Sequence, residues 1–136
     1  MARRLLDVCI AVEDLEAAVQ RFSSALGVEA VALPPEHYAY PGLRGARFFI
    51  GDSAISLVAS DTADSPIGRF LETRGEGINH VSFQVDDVER TMEDLKGLGI
   101  AFASQEPLPY SDGRVVFAHP RSFHGVQVAF VETEAE

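Results

Sequence analysis

The feature that most constrains the fold of this chain is an internal repeat. Residues 7–22, DVCIAVEDLEAAVQRF, align without gaps on residues 80–95, HVSFQVDDVERTMEDL, at a constant offset of 73 residues. The same offset brings ISLV, residues 55–58, onto VAFV, residues 128–131. A match over two separated segments is typical of a duplicated structural unit. We therefore expect two copies of one module.

Each half of the repeat reads as a strand, a helix and three further strands. The hydrophobic period changes from two to about 3.6 where the first strand leads into an amphipathic helix. Gly27 and Gly99 follow the two helices as natural stops. The shorter strands are expected near residues 28–33, 46–50 and 54–59, and near residues 101–104, 114–118 and 126–131. The order βαβββ, twice over, predicts an α+β fold.

The length of the chain sets the domain organisation. A chain of 136 residues can bury a real core within one domain, so we expect a single domain over residues 1–136. Ser65 and Pro66 begin a short apolar segment between the halves, which indicates a helix with proline at its first position. The expected parts are module one at about 4–60, a linker helix at about 61–76 and module two at about 77–132.

Charge and cysteine content exclude several classes of function. A formal net charge of −10 repels phosphate backbones and anionic lipids, so we expect neither a nucleic-acid nor a membrane partner. Cys9 is the only cysteine, which excludes a disulfide framework within one chain and favours the cytoplasm. Asp7 interrupts the apolar stretch behind the basic residues 1–4, so this segment resembles neither a signal peptide nor a membrane span.

Alternation along the predicted strands separates two faces of the sheet. One face is uniformly apolar, with Leu6, Val8 and Ile10 in the first strand, and we expect it to pack against the helices. The opposite face is mixed, which is typical of the wall of a cleft. It is predicted to carry Asp7, Cys9, Ser56, His80, Ser82, Gln84, Gln127 and Ala129.

Two segments resemble a known family. SPIGRFLETRGEGINHVSFQVDD, residues 65–87, and VFAHPRSFHGVQV, residues 116–128, are similar to segments of the methylmalonyl-CoA epimerase branch of the vicinal oxygen chelate (glyoxalase/bleomycin resistance/dioxygenase) superfamily. The likeness extends from about Leu5 to Glu132. It implies two βαβββ modules that form a curved mixed sheet around a cleft, and a homodimer. It also implies proton transfer on a small carbonyl or acyl-CoA substrate, by an epimerase, isomerase or lyase.

The resemblance further implies one divalent metal ion, Zn, Co, Mn or Ni, held by four side chains. The corresponding positions of this chain are Asp7, Ser56, His80 and Ala129, of which only His80 agrees with the family. Catalytic metal sites usually keep about three protein ligands, so we expect a metal held weakly or not at all. Ala129 supplies no base, so standard epimerisation by the family mechanism is not expected.

Two interpretations of the paired positions Asp7 and His80 stay open. The carboxylate could fix the imidazole tautomer, so that both residues are catalytic without a metal, with Ser56 as a hydrogen-bond donor. Alternatively, the two side chains could merely satisfy each other. Asn79 is expected to point away from His80 because it is the adjacent residue in the strand. Ser82, Gln84 and Gln127 are candidate substrate-binding residues.

Two loops carry further candidates. Residues 34–41 could be a lid that supplies an acid or base, Glu36 or His37, or a surface loop stiffened by proline. In the turn at 119–122, His119 and Arg121 could face a CoA phosphate or a carboxylate, or could only shape a hairpin.

The orientation of Arg47 is ambiguous, because the strand phase near Gly45 is uncertain.

Two functions remain open on the sequence alone. One is an enzyme of the glyoxalase superfamily, and the other is a non-catalytic small-molecule binding or resistance-type member.

Overall fold

The computed structural model describes residues 1–134, and Ala135 and Glu136 lie outside the described residues. Within residues 1–134, eight strands form one sheet in the order β2-β3-β4-β1-β5-β8-β7-β6. In chain order the elements are β1 Ala2–Ala11, α1 Leu15–Leu26, β2 Val31–Leu33, β3 Leu43–Ile50, β4 Ser53–Ser60, α2 Pro66–Arg74, β5 Gly77–Val85, α3 Val88–Lys96, β6 Leu108–Tyr110, β7 Gly113–Ala118 and β8 Val128–Glu132.

The strand pairing reproduces the sequence repeat. β1 pairs in parallel with β4, with Val8 opposite Ile55, and β5 pairs in parallel with β8, with Val81 opposite Val128. These two registers differ by the repeat offset. β1 and β5 pair antiparallel at the centre of the sheet, where Val8 lies opposite Val81. The two modules are therefore related by a local two-fold at this pair, and the predicted α+β fold of two βαβββ modules is confirmed.

The helices α1, α2 and α3 begin where local chemistry predicts, and α1 also ends there. Asp14 and Asp87 accept hydrogen bonds from the free backbone amides of Ala17 and Arg90, at 3.0 and 3.1 Å. Gly27 ends α1 with a φ of 68°, a left-handed conformation that favours glycine. Ser65 caps α2 through the amide of Gly68, and Pro66 is its first residue, as predicted. The predicted stop of α3 is wrong, since α3 ends at Lys96 with Gly97 as its cap, two residues before Gly99.

One predicted strand is wrong. Residues 101–104 make only an isolated bridge between Phe102 and Ala118, whereas β6 lies at Leu108–Tyr110. Pro109 argues against a strand because proline cannot donate to a ladder. The edge position of β6 removes this objection, since Pro109 needs a partner on one side only. The sequence gives no indication of which strand lies at the edge.

The core lies in layers on both sides of the sheet. On one side α1 packs against Phe48 and Leu57, and α3 places Val88 and Met92 against the second module. Leu6, which was predicted on this side, instead packs with Val115, Ala129 and Val131. The reason is a register shift between Leu5 and Asp7 where β1 pairs with β5, which breaks the alternation.

The opposite, concave side is partly covered by α2 and by the loop at 34–41. Ile67 of α2 packs with Ala11 and Val58, together with Tyr38 and Tyr40 of the loop. The part of this side that stays uncovered is the cleft.

No helix within residues 1–134 has the length and apolar character needed to cross a bilayer.

Candidate active site

A cavity of about 710 Å³ occupies the concave side of the sheet. Its volume falls in the range of small-molecule sites, roughly 300–1,000 Å³. Its apolar wall includes Ile67, Phe70, Ile78, Phe117 and Val126. Its polar wall on the side of the sheet includes Asp7, His37, Arg47, Ser56, Asn79, His80, Ser82, Tyr110 and Gln127, and α2 adds Arg69, Thr73 and Arg74.

Arg47, on β3, makes the densest polar contacts in this cavity. Its Nη2 donates to Asp7 Oδ2 at 3.0 Å, and its Nε donates to Ser56 Oγ at 2.9 Å. Ser56 Oγ in turn donates to the same carboxylate oxygen at 2.5 Å. Asp7 is only 2% exposed, and its other oxygen, Oδ1, has no hydrogen-bond partner within the described residues. The pair is therefore a buried ion pair with one open acceptor.

Arg47 also joins the two modules across the cleft. Its Nη2 donates to the hydroxyl of Tyr110 on β6 at 3.1 Å, and that hydroxyl lies 2.8 Å from Nε2 of His37. Five strands separate β3 from β6 in the sheet, so the contact requires the sheet to curl back on itself. Ser111 N donates to the carbonyl of His37 at 3.0 Å. We call Arg47, His37 and Tyr110 the clasp.

Proton positions in the clasp follow from what each group can donate. Arginine only donates, so the Tyr110 oxygen accepts from Arg47 and its own O–H donates to His37 Nε2. Burial, together with the nearby Arg47 charge, lowers the pKa of His37 to about 4. Burial raises the pKa of Tyr110 to about 12. Both side chains are thus neutral near pH 7, and His37 is not a free base for catalysis.

His80, on β5, is held in one tautomer by its neighbour. Its Nδ1 lies 2.8 Å from Asn79 Oδ1, which also accepts from Gln127 Nε2 at 3.3 Å. A carboxamide oxygen cannot donate, so Nδ1 carries the proton and Nε2 carries the lone pair. The ring packs edge-on against Phe117, with ring centroids 5.2 Å apart. Burial lowers the pKa of His80, so the cavity contains a neutral imidazole with an open acceptor.

Two expectations about His80 are therefore corrected. Asp7 bonds Arg47 and Ser56 rather than His80, so it does not fix the imidazole tautomer. Asn79 does not point away from His80, since its side-chain oxygen reaches the ring of the adjacent residue. The irregular pairing of β1 with β5 between Cys9 and Ile10 disturbs strict alternation at this point.

The structure brings together six of the ten predicted site residues at the cavity and leaves four outside it. The six are Asp7, His37, Ser56, His80, Ser82 and Gln127. Gln84, two residues beyond Ser82 on β5, accepts from Arg4 Nε at 2.7 Å instead. Glu36 is exposed, and His119 Nδ1 accepts from the Arg121 amide at 3.1 Å within its own turn. Glu36, Gln84, His119 and Arg121 therefore lie away from the cavity wall.

Arg47 and Tyr110 are the site residues that the sequence left undecided or missed. Phe48 is completely buried against α1, so its neighbour Arg47 must face the cleft. That signal was present in the sequence, although the turn at Gly45 obscured the strand phase. Tyr110 lies in the strand that was not predicted, and no local pattern indicates its contact with β3.

The residues present do not fit the metal ion that the resemblance implies. Within residues 1–134, no three His, Cys, Asp or Glu side chains converge in a way that could hold one. Asp7 is already bonded to a guanidinium, whose charge would repel a dication. Ala129 offers no donor and lies fully buried in an apolar cluster. We therefore derive no step through a metal.

Comparisons with known proteins agree with this fold. Residues 7–117 match the Glyoxalase/Bleomycin resistance protein/Dioxygenase superfamily. The ethylmalonyl-CoA/methylmalonyl-CoA epimerase of Cereibacter sphaeroides is 34% identical over 131 residues, which cover 94% of this chain and 96% of that one. The human mitochondrial methylmalonyl-CoA epimerase is 35% identical over 130 residues, 92% of this chain and 71% of that one.

A solved structure gives the same relationship. A variant of Streptomyces coelicolor methylmalonyl-CoA epimerase, in complex with 2-nitronate-propionyl-CoA, superposes with a TM-score of 0.87 at 29% identity. The match covers 99% of this chain and all of that one. The chain therefore belongs to the glyoxalase/bleomycin resistance protein/dioxygenase superfamily, as a homologue of the methylmalonyl-CoA epimerases.

Proposed function

We propose that this protein is an epimerase or another isomerase. It removes and returns the proton on the carbon next to the carbonyl of an acyl-CoA thioester. The observation that carries the proposal is the state of His80. It is a neutral imidazole in the cavity, with Nδ1 bonded to Asn79 and no hydrogen bond from Nε2 to a described residue. That is the state a general base needs before it takes up a proton.

The chemical step uses only groups of the chain and the substrate. The C–H bond next to the carbonyl breaks, its proton passes to Nε2 of His80, and the electron pair moves into an enolate. Return of the proton to the same carbon regenerates the imidazole. Protonation of the other face by a solvent molecule inverts the centre, and the proton on His80 then leaves to solvent. In D₂O the solvent supplies deuterium in place of the hydrogen.

The substrate class rests on the relatives and on the cavity. The relatives named above act on methylmalonyl-CoA and ethylmalonyl-CoA, both acyl-CoA thioesters. The cavity has room for an acyl group, and its edge carries the exposed apolar side chains of Ile78 and Val126. An acyl chain with part of its thioester arm suits this combination of a polar floor and an apolar wall.

One observation favours a second function, namely non-catalytic binding of a small molecule. Ala129 lies where the resemblance implies a carboxylate, and it packs with Leu6, Val115 and Val131. A single base on one side of the substrate is a weaker arrangement for inversion than two opposed groups. The same cavity would then bind an acyl compound and leave it unchanged.

Deuterium exchange distinguishes the two functions. We expect the purified protein in D₂O to exchange the proton next to the carbonyl of methylmalonyl-CoA or propionyl-CoA. Mass spectrometry of the acyl-CoA measures the deuterium that is incorporated. His80→Gln should slow this exchange by about 100-fold or more, the usual contribution of a general base. His124→Asn is the matched control, because His124 is exposed and its left-handed φ of 57° suits asparagine.

The pH profile gives an independent readout. Burial lowers the pKa of His80 from 6.5, so the neutral base persists below that pH. The exchange rate should therefore rise with pH and level off below pH 6.5. Exchange that is equally fast in His80→Gln contradicts the role of His80, and ligand binding without any exchange supports the binding protein.

A further inference from the structure

Arg47 is a buried cation with unused hydrogen-bonding capacity. Its side chain is 11% exposed and forms bonds through Nε and Nη2 to Asp7, Ser56 and Tyr110. No bond from Nη1 to a described residue is found. A guanidinium has five N–H donors, and those of Nη1 are thus available to an acceptor outside the chain.

The surroundings of Arg47 place its side chain in the wall of the cavity. Arg47, Asp7, Ser56 and His80 all line the same cavity. Across the sheet, Arg47 lies opposite Ser56, Ser56 lies opposite Cys9, and Cys9 lies opposite His80. The guanidinium and the imidazole therefore line the same concave surface.

Arg47 is a paired cation, so its remaining N–H donors, rather than a net positive charge, are what it offers to a ligand oxygen. Asp7 is the one carboxylate that pairs with Arg47 in the described chain, and its Oδ1 has no partner. His37 and His80 are neutral, so the cations that line the cavity are Arg47 on the sheet and Arg69 and Arg74 on α2. Hydrogen bonds from an ionised donor to an anionic oxygen are roughly twice as strong as neutral ones.

We propose that Arg47 takes the place of a metal ion in this cavity and binds the anionic oxygen of the ligand, so that binding and turnover need no divalent metal. The inference rests on the proposed function, in which the substrate carbonyl becomes an enolate. Arg47 holds that oxygen while His80 holds the proton. It also explains why the donors for a metal are absent, since a second cation beside Arg47 would be repelled.

The test compares two ligands that differ in one anionic group. 2-Nitronate-propionyl-CoA, the ligand of the Streptomyces structure, carries anionic oxygens beside the thioester, whereas propionyl-CoA carries none. We expect EDTA-treated protein to bind the nitronate about tenfold or more tightly than propionyl-CoA in calorimetric titrations. Arg47→Met should abolish this preference and leave the affinity for propionyl-CoA within about threefold.

Two further variants control for the loss of an arginine elsewhere on the strand and for unfolding. Arg44→Met is the matched control, because Arg44 is on the same strand but forms its ion pairs with Asp61 and Glu16 at the surface. Arg47→Met leaves Asp7 buried without its counter-ion and can unfold the protein. The double variant Asp7→Asn, Arg47→Met removes both charges, and it too should lose the preference for the nitronate.

The outcomes separate this inference from the proposed function. A preference for the nitronate that requires added Zn²⁺ or Co²⁺, or that survives in the Arg47 variants, overturns the role of Arg47. If the preference depends on Arg47 but no deuterium exchange occurs, the anion site stands and the proposed enzyme does not. If exchange occurs and the Arg47 variants bind both ligands as before, the enzyme stands and the anion site does not.

Discussion

At the scale of the residue, the protonation of His37 is coupled to folding. It is 7% exposed, and Tyr110 donates to its Nε2 while Arg47 lies 3.5 Å away. A proton on Nε2 would break the bond from Tyr110 and place a second positive charge beside Arg47. The folded state therefore opposes protonation of His37.

This coupling predicts a loss of stability in mild acid. The pKa of His37 is about 4 in the folded protein and 6.5 when unperturbed. Between these values the unfolded state binds more protons, so the free energy of unfolding falls as the pH drops from 6.5 to 4. We expect a full difference of about 3 kcal/mol in the free energy of unfolding. Urea unfolding at several pH values measures this difference. His37→Gln should reduce this dependence, whereas His124→Asn should not, and equal slopes in all three proteins would refute the prediction.

The buried ion pair is the second feature at this scale. Replacing Asp7 alone would leave the Arg47 guanidinium with no counter-ion, and breaking a buried pair in this way typically costs about 3–5 kcal/mol. We expect Asp7→Ala to lose that amount in chemical denaturation and the double variant Asp7→Asn, Arg47→Met to lose clearly less. A loss in the double variant equal to the sum of the losses in Asp7→Asn and Arg47→Met would show that the pair is not coupled.

At the scale of the element, α2 is positioned by a glycine. A Cβ atom on Gly68 would lie 2.1 Å from the carbonyl oxygen of Thr62 and 2.9 Å from backbone atoms of Ala63. The helix thus approaches the preceding loop more closely than any other residue would allow. Ile67 and Phe70 of this helix form part of the cavity wall, so a displacement of α2 would also move that wall.

Two opposing effects decide the outcome of Gly68→Ala. Alanine is favoured over glycine within a helix by about 1 kcal/mol, but overpacking against backbone atoms costs about 1–3 kcal/mol or more. We expect a net loss of about 1–2 kcal/mol in the free energy of unfolding, with weaker acyl-CoA binding. Gly97→Ala is the control, since Gly97 has helical angles of −62° and −21°, and it should be neutral or slightly stabilising. A stabilising effect of Gly68→Ala would mean that α2 can move away without cost.

At the scale of the whole molecule, the clasp links β3 and the loop at 34–41 to the edge strand β6. His37 and Arg47 belong to the first module and Tyr110 to the second, and the contact closes one side of the cleft. Tyr110→Phe removes the shared hydroxyl and should cost about 1–3 kcal/mol, because two buried partners lose a bond. Hydrogen exchange at the Ser111 amide, which donates to the His37 carbonyl, should become faster. Tyr40→Phe, in the loop that also holds His37, should leave this exchange rate unchanged. Equal exchange rates in the two variants would contradict the role of the Tyr110 hydroxyl in linking the modules.

The sequence determined the elements of this protein other than β6, because the forces that set them are local. The repeat gave the two modules, Asp14 and Asp87 gave the helix starts, and the alternation in β1 and β5 placed Asp7 and His80 at the cleft. Each of these signals depends on neighbours within a few residues or on a fixed offset along the chain.

Tertiary structure alone decided the partners of those residues. Asp7 bonds Arg47, which is 40 residues away, rather than His80, and Tyr110 meets His37 because the sheet curls. A β-bulge, an edge strand and the curl of an eight-stranded sheet all depend on how distant strands pack, and no local period records them. The cleft and its residues at positions 7 and 80 were thus readable from the sequence, whereas the cation that faces the ligand was fixed only by folding.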